Sequence, residues 1–295
     1  MEDIIVIVGP TGVGKTKLSV ELAKMIDAEI INGDSVSIYK DLNIGSAKPT
    51  KEERQNIPHH LFDIRDIEEN YTVFQYQQDV RKLIEEIQGR GKRIIIVGGT
   101  GLYIKAALYN YEFTETSLED KEFLEYSNEE IYHRIQQYIP EYTEDIHNRK
   151  RLVRFLNKLE HHEEISNHKD ELLYPIHVVG LTCERDLLYE RINNRVDDMM
   201  EQGLLKEVES LKDKYSSSRI LNSAIGYKEF YDYFYQEKSL EDVVREIKGN
   251  SRRFAKRQYT FFNHQFPTQW FTVHFDCFQD TIEEVYNAIK KETIH

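Results

Sequence analysis

Short, wholly apolar runs alternate along this chain with longer stretches whose apolar positions recur every three or four residues. Ile4–Val8 is the first short run, and Gly9-Pro10-Thr11-Gly12-Val13-Gly14 ends it. Leu18, Leu22 and Ile26 then fall at helical spacing. Ala28–Asn32 predicts a second strand closed by Gly33-Asp34-Ser35, a polar stretch leads through Lys48-Pro49, and Pro58–Asp63 predicts a short extended piece. Tyr71–Gln88 is helical in period (Phe74, Val80, Leu83, Ile84, Ile87) and stops at Gly89 and Gly91. Arg93–Val97 has the composition of a strand buried on both faces, and Gly98-Gly99-Thr100-Gly101 turns it into a helix over Leu102–Leu108. Strand, helix, strand, helix, strand is the pattern of a parallel sheet wound with helices.

From Asn110 to about Tyr174 the strand-like runs disappear and charge density rises. Leu152, Phe155, Leu156 and Leu159 share one helical face, with Lys150, Arg151, Arg154 and Lys158 elsewhere on it. His177–Thr182 resumes strand character. A long helical run through Leu211, broken near Gly203, a helix over Leu240–Phe262, a strand over Trp270–Asp276 and a C-terminal helix complete the chain. The expected organisation is an α/β core over 1–111 and 175–295, with a small all-helical insertion over 112–174.

Composition narrows the class. With 295 residues, 40% of them hydrophobic, the chain can bury a full core. No apolar run approaches the roughly 20 residues that span a bilayer. The start, MEDIIVIVG, is acidic and runs straight into the first strand, unlike a signal peptide. Two cysteines, Cys183 and Cys277, cannot make a disulfide framework; both sit in strand-like runs and are expected to be small core residues. A cytoplasmic protein with no membrane association is expected. The net charge of −13 argues against a nucleic-acid partner only if the basic residues are dispersed. They are clustered: Arg149, Lys150, Arg151, Arg154 and Lys158 lie within 147–158 without an acid, and Arg245, Lys248, Arg252, Arg253, Lys256 and Arg257 stand against Glu246 alone.

The chemistry begins at Gly9–Thr16, GPTGVGKT, which has the spacing G-x-x-x-x-G-K-T between a strand and a helix. Its glycines let backbone N–H groups turn inward around a phosphate, and the helix N-terminus adds its positive end. Lys15 would reach the phosphates, and Thr16 carries the hydroxyl that holds Mg²⁺ in such loops. The core is therefore a P-loop-type parallel sheet flanked by helices. Asp34, at the end of the second strand, would stand beside this loop as a general base or metal ligand, or else cap a turn. Arg93–Val97 ends in glycines rather than the Asp that holds Mg²⁺ in nucleotide hydrolases, which weakens an ATPase or GTPase reading without excluding a kinase. Arg191 and Arg195 share a helix face and would either close over the anion or pair with Glu190 and Asp198. The run from Arg252 to Phe262 interleaves basic and aromatic residues, as suits an RNA surface. His59 and His60 have no partners at zinc-ligand spacing.

Taken together, GPTGVGKT (9–16), GDSVSIYKDLNIGSAKP (33–49), PHHLFDI (58–64), VGGTGLYIKAAL (97–108), NRKRLVRFLNKLE (148–160), RDLLYERINNRVDDMMEQGLLKEV (185–208), AIGYKE (224–229) and SRRFAKRQYTFF (251–262) resemble, in the same order, the tRNA dimethylallyltransferase (tRNA isopentenyltransferase) family. The resemblance implies transfer of a dimethylallyl group from dimethylallyl diphosphate to N6 of the adenosine immediately 3′ of a tRNA anticodon, with Mg²⁺ and without ATP consumption. It implies that Gly9, Pro10, Thr11, Gly12, Val13, Gly14, Lys15, Thr16 and Arg195 hold diphosphate, with Asp34 as base and Thr11 and Arg195 at the reacting centre. It implies tRNA contact from Asp34, Ser35, Val36, Ser37 and Thr100, from Lys150, Arg151, Leu152, Val153 and Arg154, and from Gly226, Tyr227 and Lys228. Arg252, Arg253, Lys256 and Arg257 lie in the family's nucleic-acid-facing part. The anticodon stem-loop is the implied partner, and a monomer is expected. The departures (Ser37 for Gln, Phe261 for Trp, Gly45-Ser46 for Gly-Thr, Phe254 for Tyr, and Phe155 for a small residue) remove no chemical role. Three other classes share parts of the pattern: a small-molecule kinase with ATP on the loop, an isopentenyltransferase acting on free adenine nucleotides, and a non-catalytic nucleotide-switch or RNA-binding protein.

Overall fold

The structure, a computed structural model, describes residues 3–111, 123, 125–143, 146–160 and 171–292, the side chains of Lys150, Arg154 and Glu292 excepted. It divides into two compact units, Met1–Tyr109 with Leu172–His295, and Asn110–Glu171. The return to the first unit comes at Leu172, earlier than the 175 expected, because Leu172 bridges Tyr109 and the Leu173 N–H donates to the Leu108 carbonyl.

In the first unit β1 (Ile4–Val8), β2 (Ala28–Asn32), β3 (His59–His60), β4 (Arg93–Val97), β5 (Ile176–Thr182) and β6 (Thr268–Thr272) form one sheet. Its order is β3-β2-β4-β1-β5-β6, with every neighbouring pair parallel. Successive strand residues point to opposite faces, so the apolar runs feed two separate cores. Ile4, Val6, Val8, Ile94 and Ile96 pack with α3 (Val73–Gly89), α4 (Gly101–Leu108) and α10 (Leu240–Gln265). Ile5, Ile7, Ile95, Val179 and Leu181 pack with α1 (Lys15–Ile26), α11 (Phe278–Glu292) and the first turns of α7 (Arg185–Glu201). Each fully buried aliphatic side chain contributes about 1.5–3 kcal/mol. Shorter helices, α2 (Lys51–Arg54), α8 (Leu204–Glu209) and α9 (Phe230–Tyr235), sit in the connections.

Two expected strands differ. The extended piece expected over Pro58–Asp63 pairs only through His59 and His60, since Leu61 and Asp63 take left-handed backbone conformations. That edge is tied down by Glu29, whose carboxylate meets His60 Nε2 at 2.6 Å and Arg90 Nη2 at 2.8 Å. Burial alone would raise the Glu29 carboxyl; the bonds from Arg90 and His60 outweigh it and hold it below its ordinary value. The last strand begins at Thr268 rather than Trp270 and ends early, because the His274 N–H turns away to the Thr281 hydroxyl of α11. Cys183 is accordingly half-buried just beyond β5, and Cys277 is exposed, its Sγ 3.1 Å from Asp280, so neither is a core strand residue.

In the second unit α5 (Asn128–Tyr138) opens with a Ser127–Glu130 capping box and packs on α6 (Arg149–Glu160) around Phe123, Ile131, Ile135, Leu152 and Leu156. No helix among the described residues is long and apolar enough to cross a membrane.

The sheet's C-terminal edge brings two loops into backbone contact. The Gly33 N–H donates to the Val97 carbonyl at 2.8 Å, and the Thr100 N–H to the Gly33 carbonyl at 3.0 Å. A Cβ on Gly98 would fall within the backbone of Gly33. Gly98→Ala is expected to destabilise the protein by about 1–3 kcal/mol, measured by urea denaturation. A variant within experimental error of the parent would mean the two loops can part without cost.

Candidate active site

A cavity of about 660 Å³ opens over the C-terminal ends of β1, β2 and β4, where ligands sit in open parallel sheets. The loop after β1 supplies Thr11, Gly12, Gly14, Lys15 and Thr16; β2 and its turn supply Asn32 and Asp34; β4 supplies Val97, Gly98 and Gly99. Across from them one face of α7 contributes Arg191, Asn194, Arg195 and Asp198, at helical spacing, and Gln202 follows just past its end.

The phosphate-type loop carries an unmet demand for negative charge. Helices α2, α3 and α5 each begin with a capping box, whereas α1 begins at left-handed Gly14 with no side-chain cap and no acid in its first turn. Its open N–H groups and positive end therefore face the cavity. The Lys15 ammonium donates to the carbonyls of Gly9 and Pro10, both at 2.8 Å. Burial, with Arg195 alongside, pushes Lys15 down to about 7, against a smaller opposing pull from Asp34. Arg195 is half-buried and donates no hydrogen bond among the described residues. Burial lowers it from its ordinary value, while the Glu53 and Asp34 carboxylates act against that. Two basic side chains in one cavity without a bonded anion, one of them readily recharged, make a site for a polyanion.

Arg191 was indistinguishable from a solvated helix residue in the sequence, apart from its four-residue spacing to Arg195. Its Nε donates to the Gly12 carbonyl at 3.0 Å, and its guanidinium stacks 3.8 Å above the Phe275 ring. It braces the loop.

Asp34 lies in the same cavity, in an Asx turn. Its Oδ1 accepts the Val36 N–H at 2.9 Å and the Ser37 N–H at 3.4 Å. Its Oδ2 accepts nothing among the described residues. Asn32 fixes the backbone here, accepting the Asp34 N–H and donating to the Asp34 and Leu61 carbonyls. A carboxylate with one oxygen anchored and the other free can take a proton from a bound molecule. Thr100 Oγ1 accepts the Ser35 N–H and bonds the Ser35 hydroxyl, so the two loops act as one wall. Gln258 of α10 supports that wall from behind, donating to the Gly99 carbonyl at 3.1 Å; in the sequence it looks like the tail of the basic run.

The residues expected to meet RNA divide into several groups. Ser35 and Val36 are half-exposed near Asp34, whereas Ser37 is buried but lines the cavity. Gly226 and Tyr227 are buried, with the Tyr227 hydroxyl on Glu207, so only Lys228 of that segment has accessible surface. On α6 Arg151 is exposed, Leu152 and Val153 lie in the second unit's core, and the side chains of Lys150 and Arg154 fall outside the described residues. The α10 stripe is largely paired within the protein: Arg245 with Asp242, Lys248 with Asp197, Arg252 with Asn193 and Arg253 with Asn250. Lys256 and Arg257 are exposed, Arg257 lying over the Phe254 ring.

A family model described as IPP transferase matches residues 37–265. Over 286 residues the chain is 47% identical to a tRNA dimethylallyltransferase of Bacillus cereus, covering 92% of this chain and 90% of that one. A tRNA dimethylallyltransferase of Bacillus anthracis is 46% identical with 92% and 91% covered. Among solved structures, a tRNA isopentenylpyrophosphate transferase from Bacillus halodurans is 36% identical, with a TM-score of 0.77 over 99% of this chain and 98% of that one. A eukaryotic dimethylallyltransferase acting on tRNA superimposes with a TM-score of 0.77 at 28% identity, over 92% and 74%.

Because Lys15 is largely neutral above pH 7 in the free protein, a bound anion should restore its charge and draw a proton from solution. Titrating isopentyl diphosphate, fully ionised at pH 8, in buffers of different ionisation heat should show uptake of about one proton per site. The uptake should vanish in Lys15→Met. No uptake in the parent protein would mean that Lys15 is already charged without ligand.

Proposed function

The chain belongs to the IPP transferase family, and from that premise we propose that this cavity transfers a dimethylallyl group from dimethylallyl diphosphate to N6 of the adenosine immediately 3′ of the anticodon in tRNA, releasing diphosphate. The observation that carries the reading is the pairing of an anion-poor cradle, Lys15 with Arg195 and the uncapped α1, with a carboxylate, Asp34, whose Oδ2 is free. One binds the leaving group and the other serves the nucleophile.

The exocyclic amine of adenine is a poor nucleophile because its lone pair is delocalised into the ring. As the N6–C1 bond forms and the C1–O bond breaks, the diphosphate takes the electron pair and Asp34 Oδ2 takes the N6 proton. Such general-base help is worth a factor of about 10²–10⁴. Negative charge develops on the departing oxygens, where the N–H groups of the loop, Arg195 and a Lys15 released from its own loop carbonyls would meet it. Arg191 keeps Gly12 in place while this happens. Thr11 lines the cavity next to the loop and would steady the reacting centre. A target base stacked in an anticodon loop must be turned out to reach Asp34, at a cost of a few kcal/mol. In the first unit the exposed Lys256 and Arg257 and the half-buried Lys228, Ser35 and Val36, and in the second unit the exposed Arg151, suit the RNA that delivers it.

Mg²⁺ fits the donor set: the Thr16 hydroxyl and the Asp198 carboxylate line the cavity, and a hard cation takes oxygen donors together with its substrate's phosphates. When bound it would neutralise charge on the departing diphosphate. The same reading has the chain act in the cytoplasm as a monomer, and it uses no ATP.

Incubation with dimethylallyl diphosphate, Mg²⁺ and unmodified tRNA should yield N6-dimethylallyladenosine in the nuclease digest; free adenine nucleotides should yield none. Asp34→Asn keeps an acceptor for the Asx turn and removes the base, so kcat should fall by about 10² or more while tRNA affinity stays within about threefold. Loss of tRNA retention on filters would make Asp34 a binding residue instead. ADP release with ATP present would point to a kinase.

A further inference from the structure

Glu207, in α8, looks in the sequence like one more acid on a solvated helix face. The fold instead turns three consecutive backbone N–H groups onto it. Its Oε2 accepts from Ile44 at 2.8 Å and from Asn43 at 3.2 Å, and its Oε1 accepts from Ile44 at 3.1 Å and from Gly45 at 3.2 Å. The buried Tyr227 hydroxyl donates to Oε1 at 2.7 Å, and the Tyr227 carbonyl is held in turn by the Tyr215 hydroxyl at 2.6 Å. Burial and the neighbouring carboxylate push the Tyr227 hydroxyl well above its ordinary range, so it stays a donor. Successive N–H groups turned inward form a nest for an anion, and here a side chain fills it.

What Glu207 holds is a wall of the cavity. Asn43, Ile44, Ser46 and Ala47 line it, closed on themselves by bonds from the Ala47 N–H to the Ile44 carbonyl at 2.9 Å and from the Lys48 N–H to the Asn43 carbonyl at 3.0 Å. With Met199 of α7, Ile44 and Ala47 give the cavity apolar surface. Remove the carboxylate, and three N–H groups lose their acceptor in a partly enclosed place, so the segment must move to find water. We propose that Glu207 is a positioning residue that sets donor specificity, fixing Ile44 and Ala47 as the wall against which a single isoprene unit fits and a longer chain does not. This rests on the transfer reading above.

The test compares the parent with Glu207→Gln and Tyr227→Phe at saturating tRNA, measuring KM and kcat for dimethylallyl diphosphate and the inhibition constant of geranyl diphosphate, which is one isoprene unit longer. The Gln amide keeps one acceptor oxygen but turns an NH₂ group toward the nest. It should raise KM about tenfold with a smaller change in kcat. The preference for the shorter chain should narrow by a similar factor, while KM for tRNA is unchanged. Tyr227→Phe should move the same ratio in the same direction by less. A merely structural role would lower kcat in step with the loss of folded protein and leave the ratio of the geranyl diphosphate inhibition constant to the dimethylallyl diphosphate KM where it was. An unchanged ratio in both variants overturns the proposal, and if Glu207→Gln does not fold, an unchanged ratio in Tyr227→Phe alone does so. An inactive parent would instead overturn the transfer reading.

Discussion

Lys15 and Arg195 share one cavity, and Arg195 with burial opposes the charge of Lys15. Lys15 meets only the carbonyls of its own loop, and Arg195 donates no hydrogen bond among the described residues. A fold that merely needed stability would have neutralised or separated these groups, since a partly buried cation without a bonded anion is costly. The α/β core tolerates the arrangement because its inner strands are buried on both faces and its loops are braced by side chains from other elements. Arg191 secures Gly12, Asn32 secures the Asp34 turn, and Gln258 secures Gly99. A ligand carrying negative charge relieves the strain among charges, so binding and preorganisation have one cause.

The remaining architecture places a carboxylate, Asp34, in the same cavity. Parallel strands put the ends of β1, β2 and β4 side by side, and the bare backbones of Gly33 and Gly98 let two of the following loops touch. Asp34 spends one oxygen on its own turn, which fixes the other. Glu207 performs the opposite task on the segment at Asn43–Gly45, spending both oxygens on backbone N–H groups and the Tyr227 hydroxyl, and so fixing a wall that carries Ile44 and Ala47 beside the polar Asn43 and Ser46. Two carboxylates of one type thus do different work, decided by which donors the fold turns toward them.

Much of this was legible in the residues. The apolar runs bounded by glycines mark the inner strands, and G-x-x-x-x-G-K-T followed by a helix marks the phosphate loop, because both depend on local backbone geometry. What was not legible depends on long-range contact. Glu207 reaches Ile44 across 163 positions, and no local pattern separates it from a solvated acid. Arg191 and Arg195 look alike until one is seen stacked on Phe275 and the other unbonded. The basic stripe of α10 reads as an RNA face; Lys248 and Arg252 reach across to Asp197 and Asn193 of α7, whereas Arg245 and Arg253 pair along their own helix and stay exposed. Leu152 and Val153 follow the same logic: they sit in a basic segment, but their helical face is the buried one.

The central claim is that the first loop grips the departing diphosphate while Asp34 faces the incoming amine. A crystal structure with the unreactive dimethylallyl S-thiolodiphosphate and an anticodon stem-loop tests it most directly. Lys15 Nζ should leave the Gly9 and Pro10 carbonyls for phosphate oxygens, joined by Arg195. Asp34 Oδ2 should stand at about 2.6–3.2 Å from adenine N6. Phosphates bound elsewhere, with Lys15 still on its own carbonyls and Asp34 turned from the base, would contradict it.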